Sequence, residues 1–218
     1  MLRFLFTILF LGAMAPSFAE YSYIIQPRSY FLETHYDLYS GDTYLNAVEQ
    51  HSLQLHRIYS LCTEQGEIAS GTARLLSLGA LFHSMKEIDV VDNRGYNVGF
   101  IQGHWWTTAS GKFALYDDSR YHVATAFVDR SGSSVSIVDG QNNRSPIAIF
   151  RRSYVPGGDY YWEIKVVKEG VIDPRMLYVF SAFITDAYWP AAPQPQTNPT
   201  LEALQAGIIL KGLLDDNN

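Results

Sequence analysis

The sequence is short of cysteine and of charge. It has 218 residues and a single cysteine, Cys62, so an internal disulfide is excluded and stability has to come from a buried core. Charged residues make up 17% of the chain, below the roughly 25% of ordinary globular domains. Acidic residues outnumber basic ones by 22 to 16, which gives a formal net charge of -6. A protein that binds nucleic acid by neutralising phosphates needs the opposite balance, so no nucleic-acid partner is expected.

The sequence also lacks the motifs of the common enzyme classes. A GxSxG nucleophile elbow, an HExxH helix, a P-loop and a GxGxxG fingerprint are all absent. The nearest approach to a set of metal ligands is His35, Asp37 and Asp42 with His51, which does not have the clustered spacing of a zinc site. We therefore predict no catalytic residue, no metal and no cofactor.

Residues 1–19 have the order of features that is typical of a secretory signal peptide. Arg3 precedes an apolar run of about a dozen residues, and Ser17 and Ala19 are the small residues that a signal peptidase recognises. The run is too short to cross a bilayer, which takes about 20 residues. We predict cleavage before Glu20 and a secreted or periplasmic mature chain without a transmembrane segment. The alternative is an uncleaved anchor or an N-terminal core segment.

The middle of the chain repeats a pattern of two alternating apolar segments joined by a turn rich in Asp, Asn and Gly. Alternation with period 2, interrupted by such a turn, is typical of a β-hairpin. The pattern occurs in Tyr59–Ile68, Ile88–Phe100, Phe113–Thr125 and Ser134–Phe150. Since no amphipathic helix separates these segments, an antiparallel meander is favoured over parallel βαβ units.

A helix is predicted near the C-terminus, over Arg175–Trp189. Asp173 supplies the capping carboxylate, Pro174 occupies the first helical position, and Pro190 ends the helix. Apolar side chains cover nearly its whole circumference, so the helix must be surrounded by protein or lipid. At roughly 22 Å it is short for a membrane and suited to the interior of a β-barrel. The packed outer helix of a lipocalin-like carrier would be amphipathic, and this one is not.

Two of the hairpins and the helix together indicate a family resemblance. The Val-Val-Asp-x-x-Gly and Leu-Tyr-Asp-Asp turns of Ile88–Phe100 and Phe113–Thr125, followed by Asp173-Pro174 and the apolar helix, resemble the LURP-one-related proteins. More distantly, they are similar to phospholipid scramblases and the tubby C-terminal domain. This resemblance implies a mainly β fold, namely a closed antiparallel barrel of about 12 strands around a central C-terminal hydrophobic helix. The barrel domain is assigned to residues 20–189, and residues 190–218 are interpreted as a Pro-rich linker and a short tail.

Two pairs of residues are candidates for binding a ligand. Trp105 and Trp106 form either an exposed stacking platform for a sugar or lipid, or one core and one rim residue, and the second interpretation is favoured. In tubby proteins, basic side chains of the barrel bind phosphoinositide. The basic residues of this sequence that come closest to such a pair are Arg151 and Arg152. Because successive strand residues point to opposite faces, at most one of these arginines faces a given pocket.

These observations favour an exported, non-enzymatic tubby-like barrel with a ligand-binding, partner-binding or structural role. A lipid or protein ligand is implied only by the resemblance. The alternative is a secreted hydrolase that acts on lipid or glycan, with a site that the sequence does not reveal.

Overall fold

The computed structural model of the protein describes residues 20–30, 33–51, 57–74, 86–104, 111–141, 145–154 and 160–188. In these ranges the chain forms twelve strands and one helix. The strands are β1 (Tyr21–Ser29), β2 (Glu33–Ser40), β3 (Thr43–His51), β4 (Ile58–Thr63), β5 (Gly66–Ala73), β6 (Glu87–Asp92), β7 (Asn97–Gly103), β8 (Gly111–Asp117), β9 (His122–Val128), β10 (Ser134–Asp139), β11 (Pro146–Tyr154) and β12 (Tyr160–Val166). The predicted signal peptide, 1–19, and the predicted linker and tail, 190–218, lie outside the described residues.

The twelve strands form one closed antiparallel barrel. Each strand pairs with its neighbours in sequence, and β1 also pairs with β12, where Tyr21 lies opposite Val166 and Ile25 opposite Trp162. Closure removes the unpaired edges that an open sheet would expose. The mainly β fold and the 12-strand barrel implied by the family resemblance are confirmed.

The four predicted hairpins are present as β4/β5, β6/β7, β8/β9 and β10/β11. In two of them an aspartate organises the turn, since Asp92 and Asp117 each accept hydrogen bonds from the backbone amides two and four residues later, at 2.8–3.0 Å. The left-handed position of each turn is held by Gly95 (φ 83°) and by Arg120 (φ 64°). These carboxylates therefore have the backbone-bonding role that is ordinary for Asp in turns.

The helix, α1 (Pro174–Ala187), begins where the sequence predicts. The Asp173 carboxylate accepts a hydrogen bond from the Arg175 backbone N–H at 2.8 Å, and Pro174 occupies the first helical turn. The helix ends at Ala187, two residues before the predicted end, and Trp189 lies outside the described residues. Among the described residues, no helix has the length and hydropathy needed to cross a membrane.

The barrel wall encloses α1 on every side. Phe183 packs edge-on against Tyr59 of β4, and Phe180 contacts Phe113 of β8 and Phe150 of β11. Nine of its fourteen residues are buried: Met176, Leu177, Val179, Phe180, Ser181, Ala182, Phe183, Ile184 and Thr185. Because its contacts lie on strands from opposite parts of the closed barrel, the helix passes through the interior and fills it.

Two glycines of the barrel wall leave room for the helix where it lies close to the strands. A Cβ atom placed on Gly71 of β5 would lie 2.4 Å from Cγ1 of Val179, and one placed on Gly99 of β7 would lie 2.5 Å from Sδ of Met176. Both distances are far below van der Waals contact, so any larger residue would displace the helix or the strand.

The two polar side chains of the helix that are fully buried have hydrogen-bond partners within the interior. Ser181 Oγ donates to the Leu177 carbonyl at 2.8 Å and lies 3.1 Å from the Tyr23 hydroxyl, and Thr185 Oγ1 donates to the Ser181 carbonyl at 2.7 Å. Hydrogen bonds back to the preceding turn let Ser and Thr occupy a helix in apolar surroundings. The interior around α1 is therefore packed without leaving these hydroxyls unpaired.

Replacing Phe180 with alanine tests the enclosure of the helix. Phe180 is fully buried among three aromatic rings, so we expect Phe180→Ala to lower the free energy of unfolding by about 3–5 kcal/mol in urea denaturation. Tyr96→Ala is the matched control, because Tyr96 is 68% exposed and its truncation should cost less than about 0.5 kcal/mol. Equal midpoints for the two variants would contradict a buried α1.

Candidate functional site

The strand connections lie alternately at the two ends of the barrel, and the helix distinguishes these ends. The end where α1 begins carries the short turns that follow β2, β4, β6 and β8. The end where α1 finishes is the end at which β3, β5, β7 and β11 also finish, and Arg57 and Lys86 lie there, just before β4 and β6. Functional residues tend to lie on connections held by a rigid scaffold. The side chains Arg57, Tyr59, Lys86, Arg152, Tyr160 and Asp186 line the second end, which we name the C-terminal rim.

Asp186 lies at the centre of the C-terminal rim, on the last turn of α1. Its Oδ2 atom accepts a hydrogen bond from the Tyr59 hydroxyl at 2.7 Å and forms an ion pair with the Arg57 guanidinium. A carboxylate near a helix C-terminus is unfavourable, because the last carbonyl groups already concentrate negative charge there. The Arg57 cation compensates for the negative charge of the carboxylate and for that of the helix end. The ion pair between Arg57 and Asp186 also connects the start of β4 to the end of the helix.

Lys86, just before β6, is buried at the same rim without a hydrogen-bond partner. The residue is 8% exposed, and within the described part of the chain its Nζ atom has no acceptor. The ammonium lies 5.7 Å from the centroid of the Phe183 ring. The pKa of Lys86 is lowered to about 8, chiefly by burial and also by the Arg57 cation, while the Asp186 carboxylate partly opposes both effects. A buried charge without a partner is costly, and an anionic group placed next to the Lys86 ammonium would remove that cost.

Arg152 covers the end of the helix from β11. Its guanidinium lies 4.7 Å from the Trp162 ring centroid and 5.4 Å from that of Tyr160, and it donates a hydrogen bond to the Tyr188 carbonyl. Its Nε atom is buried and has no partner among the described residues. Arg152 therefore neutralises the C-terminal end of α1 and leaves one donor unused.

Tyrosines supply neutral donors around these charges. Burial raises the pKa of Tyr36, Tyr59 and Tyr160, and in each case the Asp186 carboxylate raises it further. The hydroxyl groups therefore stay protonated at neutral pH, where they donate hydrogen bonds without adding charge.

The structure describes two of the four residues that the sequence suggests for ligand binding. Arg151 is exposed on the outer wall, opposite Glu163 in the sheet, whereas Arg152 is half-buried at the C-terminal rim. Trp105 and Trp106 lie outside the described residues, although their described neighbour His104 follows β7 at the same rim. A role in ligand binding stays a prediction for all four.

The histidine and aspartate set of the sequence does not gather in one loop. His35 and Asp37 lie on β2, Asp42 lies in the turn after it, and the side chain of His51 is outside the described residues. In the ranges that the structure covers, no three His, Cys, Asp or Glu side chains are arranged to hold a metal ion.

The three residues most important to the rim were missed by sequence reasoning. Arg57 and Lys86 are isolated cations in the sequence, and no local pattern marks them. Asp186 carried a detectable signal, since it is the one charged residue between Met176 and Ala187 in an otherwise apolar helix. A lone carboxylate on a helix that must be enclosed predicts a nearby cation.

A cavity of about 410 Å³ lies at the opposite end of the barrel, beside the start of α1. Asp117, Asp118, Asp173 and Arg175 contribute to its lining. Asp117 already serves the β8–β9 turn, and Asp173 caps the helix and forms an ion pair with Arg175. These charges have structural roles, so the C-terminal rim is the better candidate site.

The pH dependence of stability tests the burial of Lys86. The pKa of Lys86 in the folded protein, about 8, lies below the ordinary lysine value of 10.5, so the unfolded chain binds the proton more tightly. The free-energy cost of the buried charge therefore disappears as the pH rises from 8 to 10. Relative to Lys86→Met, the wild-type free energy of unfolding should therefore rise by roughly 2 kcal/mol over this interval.

The matched control for that titration is Lys165→Met, because Lys165 is an exposed cation paired with Glu20 on the outer wall. Its unfolding free energy should follow that of the wild type at every pH. Parallel curves for the wild type and Lys86→Met would contradict a buried, unpaired ammonium.

Comparison with known proteins supports the fold. No protein-family model and no curated protein matches the sequence. Among solved structures, the X-ray structure of a protein from Arabidopsis thaliana matches with a TM-score of 0.52 and 10% sequence identity, over 78% of this chain and 93% of the plant protein. A likeness at this identity concerns the fold alone, and it supports the closed β-barrel.

Proposed function

We propose that this protein is an exported, non-enzymatic relative of the LURP-one-related barrels and that it binds a ligand or partner at the C-terminal rim. The observation that carries the proposal is the buried Lys86 ammonium, which has no partner among the described residues while the adjacent Arg57 is paired with Asp186. An unpaired buried cation on a rigid scaffold is costly to maintain, and a bound anionic group would remove that cost.

The rim is favoured over the barrel interior because α1 occupies the interior. Phe180 and Phe183 are fully buried against the wall, and a methyl group added at Gly71 would already collide with the helix. A carrier of the lipocalin type needs an interior cavity for its ligand. Binding at the rim requires no displacement of α1.

A binding role is favoured over catalysis because of what the rim side chains do. The Asp186 carboxylate is held by Arg57 and Tyr59, and the tyrosines are held in the protonated form. General acid–base catalysis needs a group that exchanges protons near the working pH and contacts the substrate. Lys86, whose pKa is lowered to about 8, meets the first condition, but no described side chain hydrogen-bonds its ammonium to act with it as a catalytic pair. The carboxylate, arginines and tyrosines of the rim hold charge and donate hydrogen bonds, which are the features of a recognition site.

Export is supported by where the barrel starts. The predicted cleavage site precedes Glu20, and β1 begins at Tyr21. Removal of residues 1–19 would therefore leave all strands of the described barrel intact, including the closing pair of β1 and β12.

Mass spectrometry of the protein from the exported fraction of its producing cells tests both parts of the proposal. Under denaturing conditions the mass should correspond to a chain that begins at Glu20, and a chain that retains Met1 would contradict export.

Under native conditions we expect a non-covalent adduct that is kept by Arg151→Met and lost by Arg152→Met. These variants are matched, because the two arginines are adjacent on β11 but only Arg152 lies at the rim. No adduct on the wild type, or turnover in a panel of esterase and glycosidase substrates, would contradict a non-enzymatic binding role.

A further inference from the structure

We propose that Lys86 anchors a subsite for a small monocarboxylate with an apolar body, such as a fatty or aromatic acid. This inference deepens the proposed binding function of the C-terminal rim and rests on it. Four observations at the rim carry it: the burial of the ammonium, the lack of a counter-ion for it among the described side chains, the single positive charge, and the aromatic rings beside it.

Lys86 differs from Lys165 and Lys168 in its surroundings. It is 8% exposed and its Nζ atom has no acceptor among the described residues, whereas Lys165 pairs with Glu20 and Lys168 donates to Ser145. Buried ammonium groups in proteins are ordinarily paired with an anion or fully hydrogen-bonded. The described rim therefore lacks the group that would complete this site.

The nearby carboxylate does not serve as the counter-ion of Lys86. The Oδ2 atom of Asp186 is occupied by Arg57 and by the Tyr59 hydroxyl. Arg57 disfavours the charged form of Lys86 more strongly than Asp186 favours it. The field at the ammonium is therefore still positive after the ion pair has formed, which favours an external anion.

The charge balance selects an anion with one negative charge. Within the described part of the rim one ammonium, that of Lys86, is unpaired, and both the Asp186 carboxylate and the C-terminal end of α1 would repel a second negative charge. A phosphate monoester carries close to two negative charges at neutral pH and is disfavoured for this reason. A carboxylate matches the single charge and accepts a short charge-assisted hydrogen bond from an ammonium.

The surroundings of the ammonium select an apolar body. The Phe183 ring lies 5.7 Å from Nζ, and it packs edge-on against the buried Tyr59 ring at 6.3 Å. Both rings are fully buried, so the surroundings of the ammonium are apolar. A polar body attached to the carboxylate would lose its hydration there without gaining hydrogen-bond partners from these rings, whereas a hydrocarbon or aromatic body would not.

Isothermal titration calorimetry with decanoate tests the subsite. The purified full-length mature protein should bind decanoate at one site, with an affinity at least about tenfold higher than for decanol, which has the same chain without the charge. Inorganic phosphate should bind at least about tenfold more weakly than decanoate. Equal binding of decanol would show an apolar site without a charge requirement, and equal binding of phosphate would show a general anion site; either result would overturn the proposal.

Two lysine variants identify the residue responsible. Lys86→Met should lose decanoate affinity by about ten- to a hundredfold, as expected for removal of a hydrogen bond to a charged group. Lys165→Met should retain wild-type affinity. Both variants should keep the wild-type circular dichroism spectrum, and the Lys86→Met variant is expected to fold because it removes an unpaired charge. Unchanged decanoate binding by Lys86→Met would overturn the assignment.

The outcome also separates this inference from the proposed function. In one outcome the protein fails to bind decanoate, but native mass spectrometry finds a neutral or phosphorylated ligand that is lost in Arg152→Met. The rim then binds a ligand, and the assignment of a monocarboxylate is wrong. If it carries no adduct and binds no decanoate, both are wrong.

Discussion

The mutual burial of α1 and the inner wall of the barrel is the constraint on which the rest of the structure depends. A barrel of about eight strands is just wide enough to be filled by its own side chains, so the twelve strands found here need additional material inside. The helix supplies it, and nine of its fourteen residues are buried as a result. Neither component is stable alone: the helix would expose apolar side chains to water, and the empty wall would enclose a void.

The placement of the helix also creates the chemistry of the C-terminal rim. The last turn brings the Asp186 carboxylate and the last carbonyl groups of the helix to one mouth of the barrel. Arg57 and Arg152 neutralise this negative charge from β4 and β11, as the electrostatics of a helix C-terminus requires. Lys86 adds a positive charge beyond the two that neutralise the end of the helix. This additional charge is the reason for proposing that the rim binds a ligand.

Much of the fold could be predicted from local sequence, because the determining interactions are local. The Asp92 and Asp117 turns are encoded within five residues, and the Asp173 cap lies next to the helix it starts. β12 alternates between buried and less buried residues as clearly as the hairpins do, but it lies outside the four segments in which the hairpin pattern was recognised. β2 has no such alternation, since three successive residues of that strand are buried. The rim could not be predicted, because Arg57 and Asp186 are 129 residues apart in the sequence and meet only when the barrel closes around the helix.

The contact between Gly71 and Val179 gives the most direct test of the central claim that α1 passes through the barrel against its wall. Double-mutant analysis by urea unfolding would compare Gly71→Ala in the wild type and in a Val179→Ala background. The new methyl group would lie 2.4 Å from Val179 Cγ1, so we expect it to cost about 1–3 kcal/mol in the wild type. Once Cγ1 is removed, the cost should fall by about 1 kcal/mol or more. Equal costs in the two backgrounds, within about 0.5 kcal/mol, would mean that the helix and β5 are not in contact and would contradict the account.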